Sequence, residues 1–329
     1  MKISTPLMKF WYAFVAAFLV VWAVVVFHSG LLPEVASQWR ISLVMVLGSL
    51  VAGSTPIGGG GIAFPFLVLW LGVPHDSARD FGLTIQSLGM TSAMIFILCR
   101  RVSIEARMLL WTMIGSLAGM LLGTFAIVPH VPSNFVKLTF ACMWLSYAIL
   151  TIAKNHEFCA MIGMRPMSPQ AALRVGLVVG ITGGIIASLI GVGTEMCVYT
   201  VLILLFRCDS RIAVPTAVSA MAVTSMIGLA THLWIGDISH DVLTKFLAAG
   251  PLVIFGAPIG TYIVSVVPRL RMLYFISVLC VVQFGFTLYS AQRTAAECTF
   301  VLVAMTLASV AFYLMYRHGK ASYAPSGAH

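Results

Sequence analysis

The stretch Ser54-Thr55-Pro56-Ile57-Gly58-Gly59-Gly60-Gly61 interrupts an apolar part of the chain. Apolar residues 40–53 and 62–73 lie on either side, and each run is shorter than the roughly 20 residues that cross a membrane as a helix. Proline lacks a backbone donor and glycine costs backbone entropy, so this stretch cannot continue a helix. Because lipid does not tolerate exposed broken backbone, the sequence predicts that the break is buried in protein or lines a watery cavity.

A second break, Ser188-Leu189-Ile190-Gly191-Val192-Gly193-Thr194-Glu195, separates the apolar residues 171–187 and 195–206. Interrupted apolar segments at corresponding places in the two halves of a chain are typical of the substrate site of a secondary transporter. The two breaks therefore predict a transport site between the halves.

Composition excludes a soluble domain. Of 329 residues, 60% are hydrophobic and 9% are charged, with a mean hydropathy of +1.02, whereas a soluble domain carries about 25% charged residues. The net charge of +9 then indicates orientation in the membrane and no nucleic-acid partner. The seven cysteines lack C-x-x-C spacing, and no nucleotide, haem or metalloprotease motif is present, so no metal, no cofactor and no enzyme activity are expected.

Hydrophobic runs predict ten membrane segments. They are residues 10–32, 40–53 with 62–73, 81–99, 105–128, 134–153, 171–187 with 195–206, 213–235, 242–267, 272–290 and 298–316. The chain is accordingly divided into an N-terminal helix (1–36), repeat 1 (37–153), a cytoplasmic linker (154–170), repeat 2 (171–290), a C-terminal helix (291–316) and a polar tail (317–329).

Internal repetition supports this division. A shift of 133 positions, the distance from Gly58 to Gly191, aligns identical residues without gaps. The first-half members are Val46, Ile57, Gly58, Gly60, Val68, Leu69, Leu71, Asp76, Ser77, Thr91 and Ser92. The shared glycines, the Asp-Ser pair and the Thr-Ser pair indicate duplication.

Basic residues indicate that the repeats are inverted. If each break is a hairpin that leaves the membrane on the side it entered, Arg100, Arg101 and Arg107 lie inside, while the equivalent loop with Asp237 and Asp241 lies outside. This arrangement satisfies the positive-inside rule. The sequence thus predicts an all-α, polytopic inner-membrane protein. Two inverted repeats, each a broken segment plus three helices, are flanked by one helix at each end, and both termini are cytoplasmic.

Half-helices that begin at Gly61 and Thr194 would direct unpaired backbone N–H groups at the membrane interior. Each helix N-terminus carries about half a positive charge, so two converging N-termini form an anion site. Tight helix packing is the alternative explanation of the glycines. The candidate substrate-binding residues come from both breaks and the helix after the first: Gly58, Gly59, Gly60, Gly61, Gln86, Gly191, Gly193 and Thr194.

Glu195 is the acidic residue placed deep in an apolar segment, where an ionisable group is a functional hypothesis by default. An ionised carboxylate would repel an anion, so a proton on Glu195 suggests proton coupling. The alternative is a carboxylate that caps the N–H groups of the loop.

Hydroxyl side chains line the helices after each break, and we expect most of them to pair between helices. They are Thr84, Ser87, Thr91, Ser92, Thr216, Ser219, Thr224 and Ser225. His232, near a helix end, is expected at the membrane interface, and a proton relay is the alternative.

The chain resembles the TauE/SafE family of sulfite and organosulfonate exporters. Pro56-Ile57-Gly58-Gly59-Gly60-Gly61 with Pro65, and Gly191-Val192-Gly193-Thr194 followed by residues 202–216, carry the likeness, which covers residues 40–290. It implies a bacterial inner-membrane carrier for sulfite, sulfoacetate or related sulfonates. The second motif departs from the commoner triple-glycine form, because Thr194-Glu195 follows Gly193.

The expected function is secondary transport of a small sulfur-containing anion, with export the favoured direction. An anion channel and a proton-coupled uptake permease for another small carboxylate are the alternatives, and a membrane enzyme is the least supported. The expected partners are the anion and the lipid bilayer, and a homo-oligomer is compatible with the sequence.

Overall fold

The computed structural model describes residues 7–59, 66–131, 133–161, 163–164, 167–290 and 294–323. This part of the chain is all-helical and contains eight helices that are long and apolar enough to cross a membrane. A polytopic membrane protein is thereby confirmed.

Thirteen α-helices are described. Their bounds are α1 Met8–His28, α2 Leu32–Ser37, α3 Trp39–Ser54, α4 His75–Cys99, α5 Ala106–Leu122, α6 Ser133–Ala153, α7 Asn155–Cys159, α8 Pro169–Ile190, α9 Thr194–Leu204, α10 Ser210–Ile235, α11 His240–Val266, α12 Arg269–Ser290 and α13 Ala295–Tyr323. A π-helical turn, Phe66–Trp70, precedes α4, and a second, Gly123–Ile127, extends α5. Helix α13 continues to Tyr323 and so includes the first residues of the predicted polar tail (317–329).

Capping residues determine where α8 begins and ends. Ser168 accepts a hydrogen bond from the backbone N–H of Ala171, and Pro169 fills the first position of α8, where a missing N–H costs nothing. At the other end of α8, Gly191 adopts φ +84°, the left-handed conformation that glycine tolerates.

The described segments on the two sides of each break lie alongside one another. After the first, Leu67 and Val73 pack in one cluster with Ile41 and Met45, which belong to the start of α3. After the second, α9 runs back along α8: Gly183 lies against Thr194 at the turn, and near the entry side Ala171 and Phe206 line one cavity. The chain therefore leaves each break towards the side from which it entered.

Helix directions follow from pairs of contacts. In α3 and α11, Ser42 donates to the carbonyl of Ala248 (2.9 Å), and the carbonyl of Gly53 accepts from Thr261 (3.2 Å). The two helices are therefore parallel.

Helices α5 and α8 are also parallel, since Trp111 contacts Gly176 and Gly123 contacts Ser188.

Further helix contacts connect the α3–α11 pair to the α5–α8 pair. Helix α4 is parallel to α11, because Ser92 donates to the carbonyl of Ile254 (2.7 Å) and the Arg100 guanidinium lies over the Tyr262 ring. Helix α10 is antiparallel to α4: its end, at His232, lies beside Asp80, and its start, at Thr216, lies beside the loop after α4.

Helix α10 is in turn parallel to α5, because Thr216 meets Glu105 before α5 and Gly228 meets Met120 near its end. Helices α3 and α8, which precede the two breaks, consequently run in opposite directions.

The connections gather at two ends of the bundle. At one end, which we call the acidic end, Glu34 Oε2 lies 2.8 Å from His240 Nε2 and Val73 packs against Val242. At the other, the basic end, Tyr316 donates to Glu157 (2.8 Å), and Met8 shares a cluster with Cys99. The first and last described helices thus have their outer termini at the basic end.

Glycines permit close approach within both parallel helix pairs. A Cβ atom on Gly119 would overlap the carbonyl oxygen of Ile181, and one on Gly260 would overlap the carbonyl oxygen of Leu50. Small residues bring helix backbones together in membranes, where dispersion and weak polar contacts replace the hydrophobic effect. These glycines therefore hold α5 against α8 and α11 against α3.

We expect Gly119→Ala and Gly260→Ala each to lower the apparent melting temperature of the detergent-solubilised protein. The added methyl group collides with backbone of a partner helix, and such overpacking costs about 1–3 kcal/mol. Gly285→Ala is the matched control, because a Cβ there has open space within 4 Å. Tryptophan fluorescence measures unfolding, and equal melting temperatures for all three variants would contradict this account of packing.

Candidate functional site

The two breaks meet. Gly58, in the first break, has φ +70°, and its backbone lies against the carboxyl group of Glu195 at the start of α9. A Cβ on Gly58 would overlap Glu195 Oε1 and lie 3.7 Å from Gln86 Oε1. Because both the left-handed backbone and the contact exclude a side chain, glycine is required at position 58.

The Thr55 side chain holds the backbone at the start of the first break. The Thr55 hydroxyl donates to the carbonyl of Val51 (2.9 Å) and accepts from the N–H of Ile57 (3.3 Å). Gly59 faces back towards α3, the helix that precedes the break, since a Cβ on Gly59 would lie 3.3 Å from Ala52 Cβ. Gly60 and Gly61, the other predicted site residues of this break, lie outside the described residues.

The second break turns through two glycines of positive φ. The Gly191 N–H donates to the carbonyl of Ala187 (2.8 Å) and ends α8, and a Cβ on Gly191 would lie 2.7 Å from the carbonyl oxygen of Arg79. Gly193 (φ +138°) precedes α9, and its N–H donates to Glu195 Oε2 (3.2 Å). Glu195 thus covers the amino end of its own helix, which is the geometry of a capping carboxylate.

Two buried oxygen atoms at this meeting point have no donor among the described residues. They are Glu195 Oε1 and Gln86 Oε1, on side chains that are 1% and 2% exposed. The Gln86 amide is held from the other side, because Nε2 donates to the carbonyl of Gly191 (3.3 Å). Leaving such acceptors unpaired is costly, so the site favours a donor between them, supplied by a proton on Glu195 or by a ligand.

Thr194 is buried at the same turn. Its hydroxyl has no partner among the described residues, and its backbone packs against Gly183 of α8. The structure therefore brings Gly58, Gln86 and Glu195 together with the turn of the second break, and it places Thr194 at the packing contact between the two arms of that hairpin.

The expectation that most hydroxyls pair between helices is wrong. Thr84, Thr224 and Ser225 donate to carbonyl groups four residues earlier in their own helices, as do Thr216 and Ser219. Ser92 is an exception, because it accepts from Trp11 and donates to Ile254. Back-bonding of this kind satisfies a hydroxyl within its helix without a partner element.

A charged cluster that the sequence analysis did not predict adjoins the second break. Arg79, whose carbonyl contacts Gly191, donates through Nε to Asp80 (2.8 Å). His232 Nδ1 lies 3.8 Å from Asp80 and 3.0 Å from Asp237. His232 is 2% exposed and is therefore buried within the protein, beside the more exposed Asp237. Arg79, Gly82 and Gln86 lie on the face of α4 that contacts Gly191 of the second break.

Breaks that meet inside a bundle of membrane-length helices define a multi-pass transporter-like membrane protein. Residues 41–285 match the model of the sulfite exporter TauE/SafE family, and the chain belongs to this family. Because this is a family of transporters, the match indicates a membrane transporter for sulfite or a related anion. Curated proteins and solved structures yielded no match.

We expect Gly58→Ala to abolish most sulfite flux in proteoliposomes. The methyl group displaces Glu195 Oε1, and the left-handed backbone adds about 1–2 kcal/mol of strain for a non-glycine residue. Gly72→Ala is the matched control, because Gly72 has φ +65° but open space around its Cβ position. Equal flux from the two variants, each eluting as a folded species, would show that the contact with Glu195 is irrelevant.

Proposed function

We propose that the protein is a secondary transporter that exports small sulfur-containing anions, such as sulfite, sulfoacetate or another organosulfonate, across the bacterial inner membrane. The observation that carries the proposal is the contact between the two breaks, Gly58 against Glu195, within a chain of the sulfite exporter family. The substrate site lies between the breaks, near the middle of the bilayer.

Binding of an anion there rests on partial positive charges. The amino end of α9 carries about half a unit charge, and Gln86 Nε2 is a donor already directed at the turn of the second break. Glu195 opposes an anion when it is ionised. A proton on Oε1 removes that repulsion and gives Gln86 Oε1 or the substrate a donor, so Glu195 is the proposed proton-coupling residue.

Transport proceeds by alternating access between two inverted repeats. The opposite directions of α3 and α8 support inversion, as does the exchange of packing partners. Helix α3 of the first half packs on α11 of the second, and α8 of the second half packs on the equivalent helix of the first, α5. Rocking of such exchanged pairs around a fixed site is a common mode of alternating access.

Export needs no coupling ion when the cell interior is negative. The membrane potential contributes about 2.3 kcal/mol per charge per 100 mV to the outward movement of an anion. The basic end of the bundle, with both termini, faces the cytoplasm in this proposal, in accordance with the positive-inside rule.

Proton-coupled uptake is the second candidate, because the cluster of Asp80, His232 and Asp237 extends from the surface to the second break. Asp237 is 42% exposed, whereas the side chains of His232 and Asp80 are 3% and 7% exposed. Uptake of an anion against a negative potential requires a proton or another coupling ion, whereas export does not.

The first test is flux of labelled sulfite and sulfoacetate through proteoliposomes, with membrane potential and pH gradient imposed separately. We expect saturable flux that follows the potential. Flux that rises linearly with concentration would indicate a channel, and a chemically altered substrate would indicate an enzyme. No flux of either anion would remove the sulfur-anion assignment.

Glu195→Gln tests coupling. The amide keeps the shape of the carboxyl group, but it cannot take up and release a proton as a carboxylate does. A gradient of one pH unit supplies about 1.4 kcal/mol per coupled proton. We expect the variant to retain flux driven by the potential and to lose its response to the pH gradient. A response equal to that of the wild type would exclude Glu195 as the proton carrier and leave it as a cap.

Cysteine labelling tests the topology. In a background lacking native cysteines, single cysteines in the loops 100–107 and 237–241 are expected to react with an impermeant maleimide from opposite faces of the membrane. Labelling of both loops from one face would rule out inverted repeats.

A further inference from the structure

Two cavities follow one another along α8, α9 and α13. The first, of about 420 Å³, lies at the basic end between the start of α8, the end of α9 and the end of α13. The second cavity, of about 430 Å³, continues along the same helices from the basic end towards their mid-length. Val175 lines both cavities. Together they form an elongated groove that begins at the basic end.

The first cavity contains a buried cation with free donors. Arg207 lines it with a side chain that is 10% exposed, and Nε and Nη1 have no hydrogen-bond partner among the described residues. Nη2 lies 3.5 Å from Glu157 Oε2, and the guanidinium lies over the rings of Phe158 and Tyr316. These contacts hold Arg207 in place while two of its nitrogen atoms lack an acceptor among the described residues, and such donors are costly when unpaired.

Further groups around this cavity favour an oxyanion. Ser168, His318 and Ser322 line it with Arg207. Ser168 also caps α8, a helix of 22 residues, whose amino end therefore points its partial positive charge into this region. Phosphate groups are recognised by combinations of this kind, in which arginine donors and a helix amino end act together.

The second cavity has the opposite character. Its lining is almost wholly apolar and is contributed by side chains such as Val178, Val179, Val201, Phe312 and Met315. Val178 is 61% exposed, so the cavity opens on the surface that faces lipid. An acyl chain fits this lining, whereas a free oxyanion does not.

We propose that the groove binds an anionic phospholipid. The phosphate accepts hydrogen bonds from Arg207 Nε and Nη1 beside His318, and one acyl chain occupies the apolar cavity. Anionic lipids gather at basic pockets between membrane helices on the cytoplasmic side. The bound lipid joins α13 to the α8–α9 hairpin, next to the contact at which Gly319 packs against the carbonyl of Leu204. This site is separate from the transport site and does not depend on which anion is carried.

Delipidated full-length protein in detergent is titrated with dioleoyl phosphatidylglycerol, dioleoyl phosphatidylcholine or inorganic phosphate, and thermal unfolding is followed. We expect phosphatidylglycerol to raise the melting temperature most and inorganic phosphate to leave it unchanged. Arg207→Gln should weaken binding of phosphatidylglycerol about tenfold, the loss of one charge-assisted interaction. Arg211→Gln, which alters an exposed arginine outside the cavity lining, should bind as the wild type does.

Three results would overturn the proposal. Equal binding of phosphatidylglycerol by wild type and Arg207→Gln would remove the phosphate contact. An equal effect of inorganic phosphate would identify a free oxyanion as the ligand, and an equal effect of phosphatidylcholine would remove the preference for an anionic headgroup. If Arg207→Gln does not fold, His318→Ala provides the comparison, since His318 is exposed. A smaller loss of phosphatidylglycerol binding is expected there, and unchanged binding would also overturn the proposal.

Discussion

A backbone that stops being helical inside a membrane must find partners for its own N–H and C=O groups, because lipid offers none and each unpaired group costs several kcal/mol. The chain meets this requirement by placing its two breaks against each other. Gln86 binds the carbonyl of Gly191, and Glu195 accepts from the N–H of Gly193. The second break is therefore satisfied partly by a side chain of α4 and partly by one from the helix that follows it, and the first break is held by its own Thr55.

Close packing elsewhere follows from the same requirement. The breaks meet only if the helices that lead to them approach closely, and the glycines of the α3–α11 and α5–α8 pairs permit this approach. Gly53 faces the carbonyl of Ala257, and Gly180 faces that of Thr112. Apolar side chains at these contacts would keep the helices apart and separate Gly58 from Glu195.

The sequence was sufficient for the helix positions and the sites of the breaks, because apolar run length and Gly/Pro content are local properties. It also named Gly58 and Gln86 as substrate-binding candidates and Glu195 as a proton-coupling candidate, and in the structure Gly58 lies against Glu195 Oε1 with Gln86 Oε1 nearby. The contact between Arg79 and Gly191 was not predictable, since it depends on which face of α4 packs against the second break.

The burial of His232 was missed for the same reason. A residue near the end of α10 can be exposed to solvent. Its burial becomes evident only when the structure shows that Asp80 of α4 lies beside it. The back-bonded hydroxyls show a different limit: a serine or threonine in a helix has an acceptor within its own backbone, and sequence alone does not say which acceptor it uses.

The charges around the site do not follow the internal repetition, and this asymmetry bears on the mechanism. By the shift of 133 positions, Glu195 corresponds to Ile62, His232 to Cys99 and Asp80 to Ala213. Two inverted repeats of identical chemistry would give inward-open and outward-open states of equal energy. A single carboxyl group at the meeting point breaks that equality, because its surroundings differ between the two states. A proton that binds one state more tightly shifts the population towards it. In the proposed carrier, the duplication would supply the two states, and a proton on the unduplicated Glu195 would shift the population between them.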